Sequence, residues 1–281
     1  MPSDAGADST FGNARPAWLG GLGSVRNVVR QEMISRQLGK HLRTPSARVL
    51  DVGAGQGTQS IRLARAGHRV LAVDPDQGMR SAFLAALGAE PAEVQDRVML
   101  REGSVGGLDA VTGGETYDAV LLLGVLMYLQ ESESVIAELA AHVAPGGLLA
   151  LAARTTTSAV WRPAARQDWQ AALAAFSEYD SATAEGRDMR YLNEIGAPAR
   201  ADDLDVLTTC AAAYGLVLEN WYGVRIAVDT QELDPAPPSD PGELAALLDV
   251  EERLGATDPY RHLGQLAHLI LRNTQTAATS E

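Results

Sequence analysis

The sequence predicts a doubly wound α/β sheet that carries an inserted helical cap. Short apolar runs ended by glycine or aspartate alternate with helical stretches from residue 48 to residue 154, the rhythm of parallel strands joined by right-handed crossovers. An aromatic-bearing polar segment at about 155–200 then interrupts the rhythm, which resumes afterwards. The composition agrees: 281 residues with 46% hydrophobic and 21% charged suit one large domain with a substantial core.

Residues 1–15, rich in Ser, Gly, Asp and Ala, form an expected flexible tail, and 16–281 a single domain. An N-terminal helix is expected over 25–43, where Val25, Val28, Val29, Met33 and Leu38 make a helical stripe that Pro45 cannot extend. RVLDVG at 48–53 is a short buried strand, followed by a helix over 58–66 that Gly67 stops. HRVLAVD at 68–74 is a second strand, and 77–87 a second helix closed by Gly88. Strands are expected at 97–103 and 116–124, and a helix over 132–142. Pro145-Gly146-Gly147 makes a tight turn into a fifth strand at 148–154. The cap carries Trp161, Trp169, Phe176, Tyr179 and Tyr191, with a helix over 166–179. Beyond it lie a helix over 204–214, strands near 216–229 and 266–272, and between those strands a helix opened by Asp240, Pro241 and Glu243 in capping positions.

The charge balance narrows the function. A formal net charge of −13 repels phosphate backbones and anionic lipid unless a local basic patch intervenes. Cys210 is the single cysteine, which excludes a disulfide framework and a multi-thiolate metal site. His262 and His268 have no further ligand at metal spacing, so no metal is expected. The apolar run 119–129 is too short to span a bilayer, and no basic-then-apolar leader opens the chain, so a cytoplasmic protein is expected.

The strongest chemical signal is Asp51-Val52-Gly53-Ala54-Gly55-Gln56-Gly57, directly after one strand and directly before a helix. Glycines there let a backbone approach a ligand closely, and the helix start offers unpaired N–H groups. The spacing is GxGxG, distinct from the GxGxxG of dinucleotide binders. Asp74, seventeen residues after Gly57, ends the second strand, where a carboxylate can accept both hydroxyls of a ribose. The competing reading of these residues is a structural turn and a capping aspartate.

Asp51-x-Gly53-x-Gly55-x-Gly57, Val73-Asp74, Tyr117-Asp118 and Pro145-Gly146-Gly147, in that order, resemble the motif series of class I S-adenosylmethionine-dependent methyltransferases over about 45–155. The resemblance implies a Rossmann-like seven-stranded sheet with an antiparallel last strand, and S-adenosylmethionine as cofactor. It places Gly53, Ala54, Gly55 and Gly57 against the methionine and ribose, and Asp74 on the ribose hydroxyls. Asp51 falls beneath the loop facing the ammonium, and Pro75 and Met79 lie beside the adenine. Ser104 and Leu123, after the third strand and at the end of the fourth, stand where the family has adenine-edge contacts.

The chain's ends are similar to bacterial carboxymethoxyuridine tRNA methyltransferases: Arg30 in VVRQEMISRQL, Gly223-Val224-Arg225, the helix near 247–252, Asp258-Pro259-Tyr260, Leu263-Gly264 and His268. That similarity implies that Arg30 pairs with the cofactor's carboxylate and that the acceptor is itself a carboxylate, which is ionised at pH 7 and needs no general base. Three departures separate the chain from these enzymes. Their lysine-rich cap run is missing, Lys40 being the only lysine; Gly103-Ser104-Val105-Gly106-Gly107 replaces an acid or amide; and Leu123 replaces a histidine. The expected acceptor is therefore an oxygen or nitrogen of a small metabolite or peptide, with tRNA the alternative and a non-catalytic adenosyl-binding scaffold a third reading. Arg154, Trp161 and Arg225 are the candidate acceptor-binding residues, and Tyr128 and Arg154 the candidates for positioning it.

Overall fold

The computed structural model describes residues 15–193, 195–231 and 233–275, so the expected tail, apart from residue 15, lies outside the described residues. The main sheet holds seven strands: β1 (Arg48–Val52), β2 (Arg69–Asp74), β3 (Val98–Glu102), β4 (Tyr117–Leu123), β5 (Val143–Arg154), β8 (Leu216–Val224) and β9 (Leu266–Asn273). Their order is β3-β2-β1-β4-β5-β9-β8, a mixed Rossmann-like sheet whose last strand is antiparallel, as expected. β1 lies third in that order, parallel to β2 through Val49–Val70 and to β4 through Val49–Ala119. Both faces of these strands are covered, which is why they read as unbroken apolar runs: Val49, Leu50 and Ala119 to Leu122 have no exposed surface. The strand order reverses between β1 and β4, and open α/β sheets bind ligands at the carboxyl ends of the strands at such a switch point.

The helices are α1 (Val25–His41), α2 (Thr58–Arg65), α3 (Gln77–Gly88), α4 (Ala92–Gln95), α5 (Leu108–Thr112), α6 (Glu133–Ala141), α7 (Thr156–Ala165), α8 (Trp169–Glu185), α9 (Leu204–Ala213) and α10 (Pro241–Ala256). Two of them, α4 and α5, are single turns too short to show a periodicity, and the sequence pattern does not reveal them. Where a tight turn is expected at Pro145-Gly146-Gly147, the strand runs on from Val143 with Gly146 at φ 74°. A Cβ on Gly147 would lie 2.8 Å from the carbonyl oxygen of Ala144 and 3.0 Å from those of Tyr117 and Asp118, so the segment is a close backbone crossing that requires glycine.

The segment expected as a cap contains α7, α8 and a two-stranded antiparallel sheet of β6 (Met189–Leu192) and β7 (Pro198–Ala201). The helix expected over 166–179 starts later and ends later, because the Asp168 carboxylate accepts the Ala171 N–H at 3.0 Å and Gly186 closes the last turn at φ 65°. Asp240 caps α10 as its sequence predicts, accepting the Glu243 N–H at 2.9 Å.

By compactness the described residues divide into two units, one drawn from 15–37, 152–204 and 221–268, the other from 38–151, 205–220 and 269–275. In the first, Ala159, Ala182, Met189 and Ala201 form a small core beneath α7, α8 and the β6–β7 hairpin. Glu251 of α10 accepts the N–H groups of Ile226, Ala227 and Val228, each at 2.9 Å, and so fixes the loop after β8. In the second, α2 and α3 pack on the sheet through Ile61, Leu63, Met79 and Phe83, all buried.

Candidate functional site

The loop between β1 and α2 has its shape dictated by three glycines. Gly53, Gly55 and Gly57 take φ values of 68°, 59° and 84°, a region that costs other residues roughly 1–2 kcal/mol. Space excludes side chains as well. A Cβ at Gly53 would meet Val125 Cγ2 at 2.4 Å, and one at Gly57 would meet the Phe83 ring at 2.4–2.6 Å. Gly55 lies against Met79, whose Cε would be 3.2 Å from its Cβ. The loop is thus clamped from behind by Val125, Met79 and Phe83, and its N–H groups Gly53 and Ala54 donate to the Val73 carbonyl at 2.8 and 3.1 Å.

Asp74 ties this loop to the end of β2. Its Oδ2 accepts the Gly55 N–H at 2.8 Å and its Oδ1 accepts the Asp76 N–H at 2.9 Å. An ionised carboxylate has about four lone-pair sites, so each oxygen keeps one more to offer, which is the number that a vicinal diol fills. Burial pushes the Asp74 carboxyl above its ordinary value, while the two backbone N–H groups and Arg80 act the other way. Asp76 caps α3, accepting the Met79 N–H at 2.7 Å, and this holds the buried Met79 against the loop. Pro75, between the two aspartates, is exposed.

Asp51 is buried beneath the glycine loop and accepts a 2.5 Å hydrogen bond from Ser60 Oγ. Burial, reinforced by the Asp74 carboxylate and opposed by the Ser60 hydroxyl, pushes its carboxyl up to about 6. Two buried carboxylates beside one loop make a region that favours a cation or hydroxyl donors over a phosphate. That donor set suits S-adenosylmethionine: the diol for Asp74, a positive ammonium for Asp51, and a glycine loop that offers backbone rather than side chains. Ser104 and Leu123 are half-buried at the ends of β3 and β4, and Tyr128 is half-buried in the 3-10 turn Leu126–Tyr128. Asp51, the glycines, Ala54, Asp74, Pro75, Met79, Ser104, Leu123 and Tyr128 all belong to the second unit.

Arg30, Arg154, Trp161 and Arg225 belong to the first. The Arg30 guanidinium lies over the Trp18 ring, 4.7 Å from its centroid. Trp161 is 39% exposed and Trp169 61%. Arg225, at φ 62°, grips Asp229 through Nε at 2.7 Å and Nη2 at 2.8 Å. Asp229 is a hub that sequence reasoning missed. Its Oδ1 also meets Arg166 Nη2 at 2.9 Å, and Arg26 Nε and Arg162 Nε at 3.3 Å. Burial alone would raise its carboxyl, but Arg225, Arg162 and Arg26 hold it below the usual carboxylate range. The four-residue spacing of Arg225 and Asp229 was a local signal for one of these pairs; the others join residues too far apart in sequence to be read.

Comparison with known proteins accords with this geometry. A family profile described as a methyltransferase domain matches residues 50–149, the stretch that runs from β1 to β5. A ubiquinone biosynthesis O-methyltransferase of Rhizobium rhizogenes is 29% identical over 183 residues, and one of Xanthomonas axonopodis pv. citri 34% identical over 136. The matches take in 62% and 48% of this chain, and the chain spans 66% and 53% of those enzymes' length. Among solved structures, the Burkholderia thailandensis 1,6-didemethyltoxoflavin-N1-methyltransferase, crystallised with S-adenosylhomocysteine, shares the fold with a TM-score of 0.54 at 19% identity, covering 95% of this chain and 85% of that one. The glycopeptide N-methyltransferase MtfA in complex with S-adenosyl-L-homocysteine shares it with a TM-score of 0.53 at 15% identity, covering 86% and 89%. Residues 50–149 accordingly match a methyltransferase domain, and the likeness to these solved methyltransferases is one of Rossmann-like fold.

Proposed function

We propose that the chain transfers the methyl group of S-adenosylmethionine to an oxygen, foremost a carboxylate oxygen, or to a nitrogen of a small metabolite or peptide. The carrying observation is Asp74, whose carboxylate is anchored by Gly55 and Asp76 and keeps one acceptor site per oxygen beside the glycine loop. When bound, the cofactor supplies an electrophilic methyl on a sulfonium whose charge disappears in the transfer. The chain's part is alignment. Asp74 takes the ribose diol, Asp51 faces the ammonium from below, and Met79 with the backbone of residues 53–57 sets the depth of the nucleoside. A carboxylate acceptor arrives ionised, so no side chain is required to take its proton. The names of the O-methyltransferase relatives support oxygen, and those of the N-methyltransferase neighbours keep nitrogen in the reading.

Calorimetry with S-adenosylhomocysteine tests the cofactor site: wild type binds, and Asp74→Ala loses affinity by about tenfold or more, as the loss of two charge-assisted bonds implies. Equal binding by Asp74→Ala removes the assignment. The acceptor is tested by transfer of labelled methyl from S-adenosylmethionine to fractionated host extract. Label released by mild alkali marks an ester; alkali-stable label excludes a carboxylate in favour of an ether or amine; label that nuclease removes from bulk tRNA overturns the small-acceptor reading. No helix among the described residues is long and apolar enough to cross a membrane.

A further inference from the structure

Asp51 and Ser60 flank the glycine loop, each on a rigid element. Asp51 lies within β1, in register with Ala72 of β2 and Leu121 of β4, and Ser60 lies in the first turn of α2. The hydrogen bond from Ser60 Oγ to Asp51 Oδ2, 2.5 Å long, therefore ties the loop's two sides together from beneath. Ser60 has no exposed surface, and Asp51 is 2% exposed. A fully buried helical position favours alanine, and a hydroxyl there costs free energy unless it finds a partner. A helical serine can satisfy its hydroxyl on the carbonyl one turn earlier. Here its single proton goes nine residues back, to a carboxylate on another element.

The charges around this bond make the hydroxyl matter. Asp74 of β2, together with burial, opposes ionisation of Asp51, and the Ser60 hydroxyl favours it. Asp76 and Arg80 bear on Asp74 instead. Further charges on the neighbouring elements lie away from the bond. Arg62 and Arg65 are in the last turn of α2, and His68 and Asp118 accept the Ala47 and Arg48 N–H groups at the other end of the strands. α2 has no acidic residue in its first turn and no side-chain cap at Gly57, so the Ser60 bond brings a carboxylate to the positive end of that helix.

We propose that Ser60 is a positioning residue of the cofactor site: its hydroxyl fixes the Asp51 carboxylate beneath the glycine loop and keeps it ionised, so that the cofactor's ammonium meets a charged partner already in place. That the ligand is S-adenosylmethionine rests on the function proposed above; the control of Asp51 by Ser60 belongs to the ligand-free chain.

Two measurements on the full chain test it, with Ser60→Ala and with Ser60→Cys, which keeps a weak donor and serves for both measurements if Ser60→Ala fails to fold. Carboxyl-carbon NMR of the ligand-free protein, assigned by comparison with Asp51→Asn, follows the Asp51 titration, whose midpoint stands at about 6 in the wild type. The midpoint rises by about one pH unit in Ser60→Ala, as the loss of a charge-assisted bond implies, and by less in Ser60→Cys. Titration with S-adenosylhomocysteine reads the consequence. With an ionised Asp51 required, Ser60→Ala weakens binding about fivefold at pH 6 and less than about twofold at pH 8. Asp74 is present in both proteins and cancels from the comparison. An unmoved Asp51 midpoint, or an affinity loss of equal size at pH 6 and pH 8, overturns the proposal and leaves Ser60 a purely structural group. A midpoint that rises in a chain that binds no S-adenosylhomocysteine supports the control of Asp51 by Ser60 while sinking the methyltransferase assignment.

Discussion

Replacing Gly57 by alanine perturbs the cofactor loop at the point where its geometry is most constrained. Two penalties add. The residue has φ 84°, where a side chain costs roughly 1–2 kcal/mol. Its new Cβ would lie 2.4–2.6 Å from three atoms of the Phe83 ring, and Phe83 has no exposed surface through which to retreat. Overpacking of that kind costs about 1–3 kcal/mol, so the total loss expected for Gly57→Ala is about 2–5 kcal/mol. Urea denaturation at constant m-value measures it. A double-mutant cycle with Phe83→Leu separates the two parts: with the ring removed, Gly57→Ala should cost only the backbone share of about 1–2 kcal/mol. If the glycine substitution costs the same in both backgrounds, the clash with Phe83 is not what requires glycine here. A loss below about 0.5 kcal/mol in wild type, the scale of an ordinary surface change, would refute both parts.

The Asp51 carboxyl, raised to about 6, binds more protons in the folded chain than in the unfolded one between about pH 4 and 6. Stability therefore falls as pH rises through that window, by up to ~3 kcal/mol, and is flat in this respect above it. The difference between wild type and Asp51→Asn in chemical denaturation isolates the effect, and a pH-independent difference contradicts it. Because an ammonium favours the ionised form, S-adenosylhomocysteine binding at pH 5–6 should also release protons, seen as a dependence of the calorimetric heat on buffer ionisation. Asp229→Asn leaves four guanidiniums around a neutral group and should cost about 3–5 kcal/mol at pH 7. Its carboxyl is held low, so the stability it contributes is present above the unfolded value near 3.8 and disappears as pH falls through the lower folded one; acid titration of both proteins should show the gap closing. Asp240→Ala removes a cap from α10 and should lower stability by about 0.5–2 kcal/mol, read as a shift in Tm.

What the sequence made legible was local. β1, β2 and β4 are buried on both faces, so their apolar runs carry no other interpretation, and the glycines that end β1 sit at positive φ as their type suggests. The cap signature Asp240-Pro241-Gly242-Glu243 placed α10 to the residue because the hydrogen bond that starts the helix lies within three positions. The same logic explains the failures. The helix expected to begin at Arg166 begins at Trp169 because Asp168 acts as its cap, a signal present in the sequence. The fifth strand extends back to Val143 because Gly146 and Gly147 let the backbone pass close to Tyr117 and Asp118, a tertiary contact that makes a turn motif serve inside a strand.

The site divides along the same line. Asp51, the glycine loop, Asp74 and Met79 lie within twenty-nine positions, and the hydrogen bonds that organise them are made by their own backbone, so residue type and spacing were enough to assemble them. The residues that clamp the loop, Val125 and Phe83, looked like ordinary core, because nothing in a valine or a phenylalanine records which glycine it faces. The arginine cluster was further out of reach. Its members come from α1, β5, α7 and the segments beside α7 and β8, and a guanidinium reads as a surface charge until the fold buries it. The chain's formal charge of −13 pointed away from phosphate backbones and anionic lipid, a local basic patch excepted. Net charge is a sum over the whole surface, whereas a ligand meets only the groups within a few ångströms, and Arg154, 3% exposed, contributes to the first and is hidden from it. An acidic chain can therefore bury guanidiniums together around a shared carboxylate, as Arg26, Arg162, Arg166 and Arg225 gather at Asp229 here.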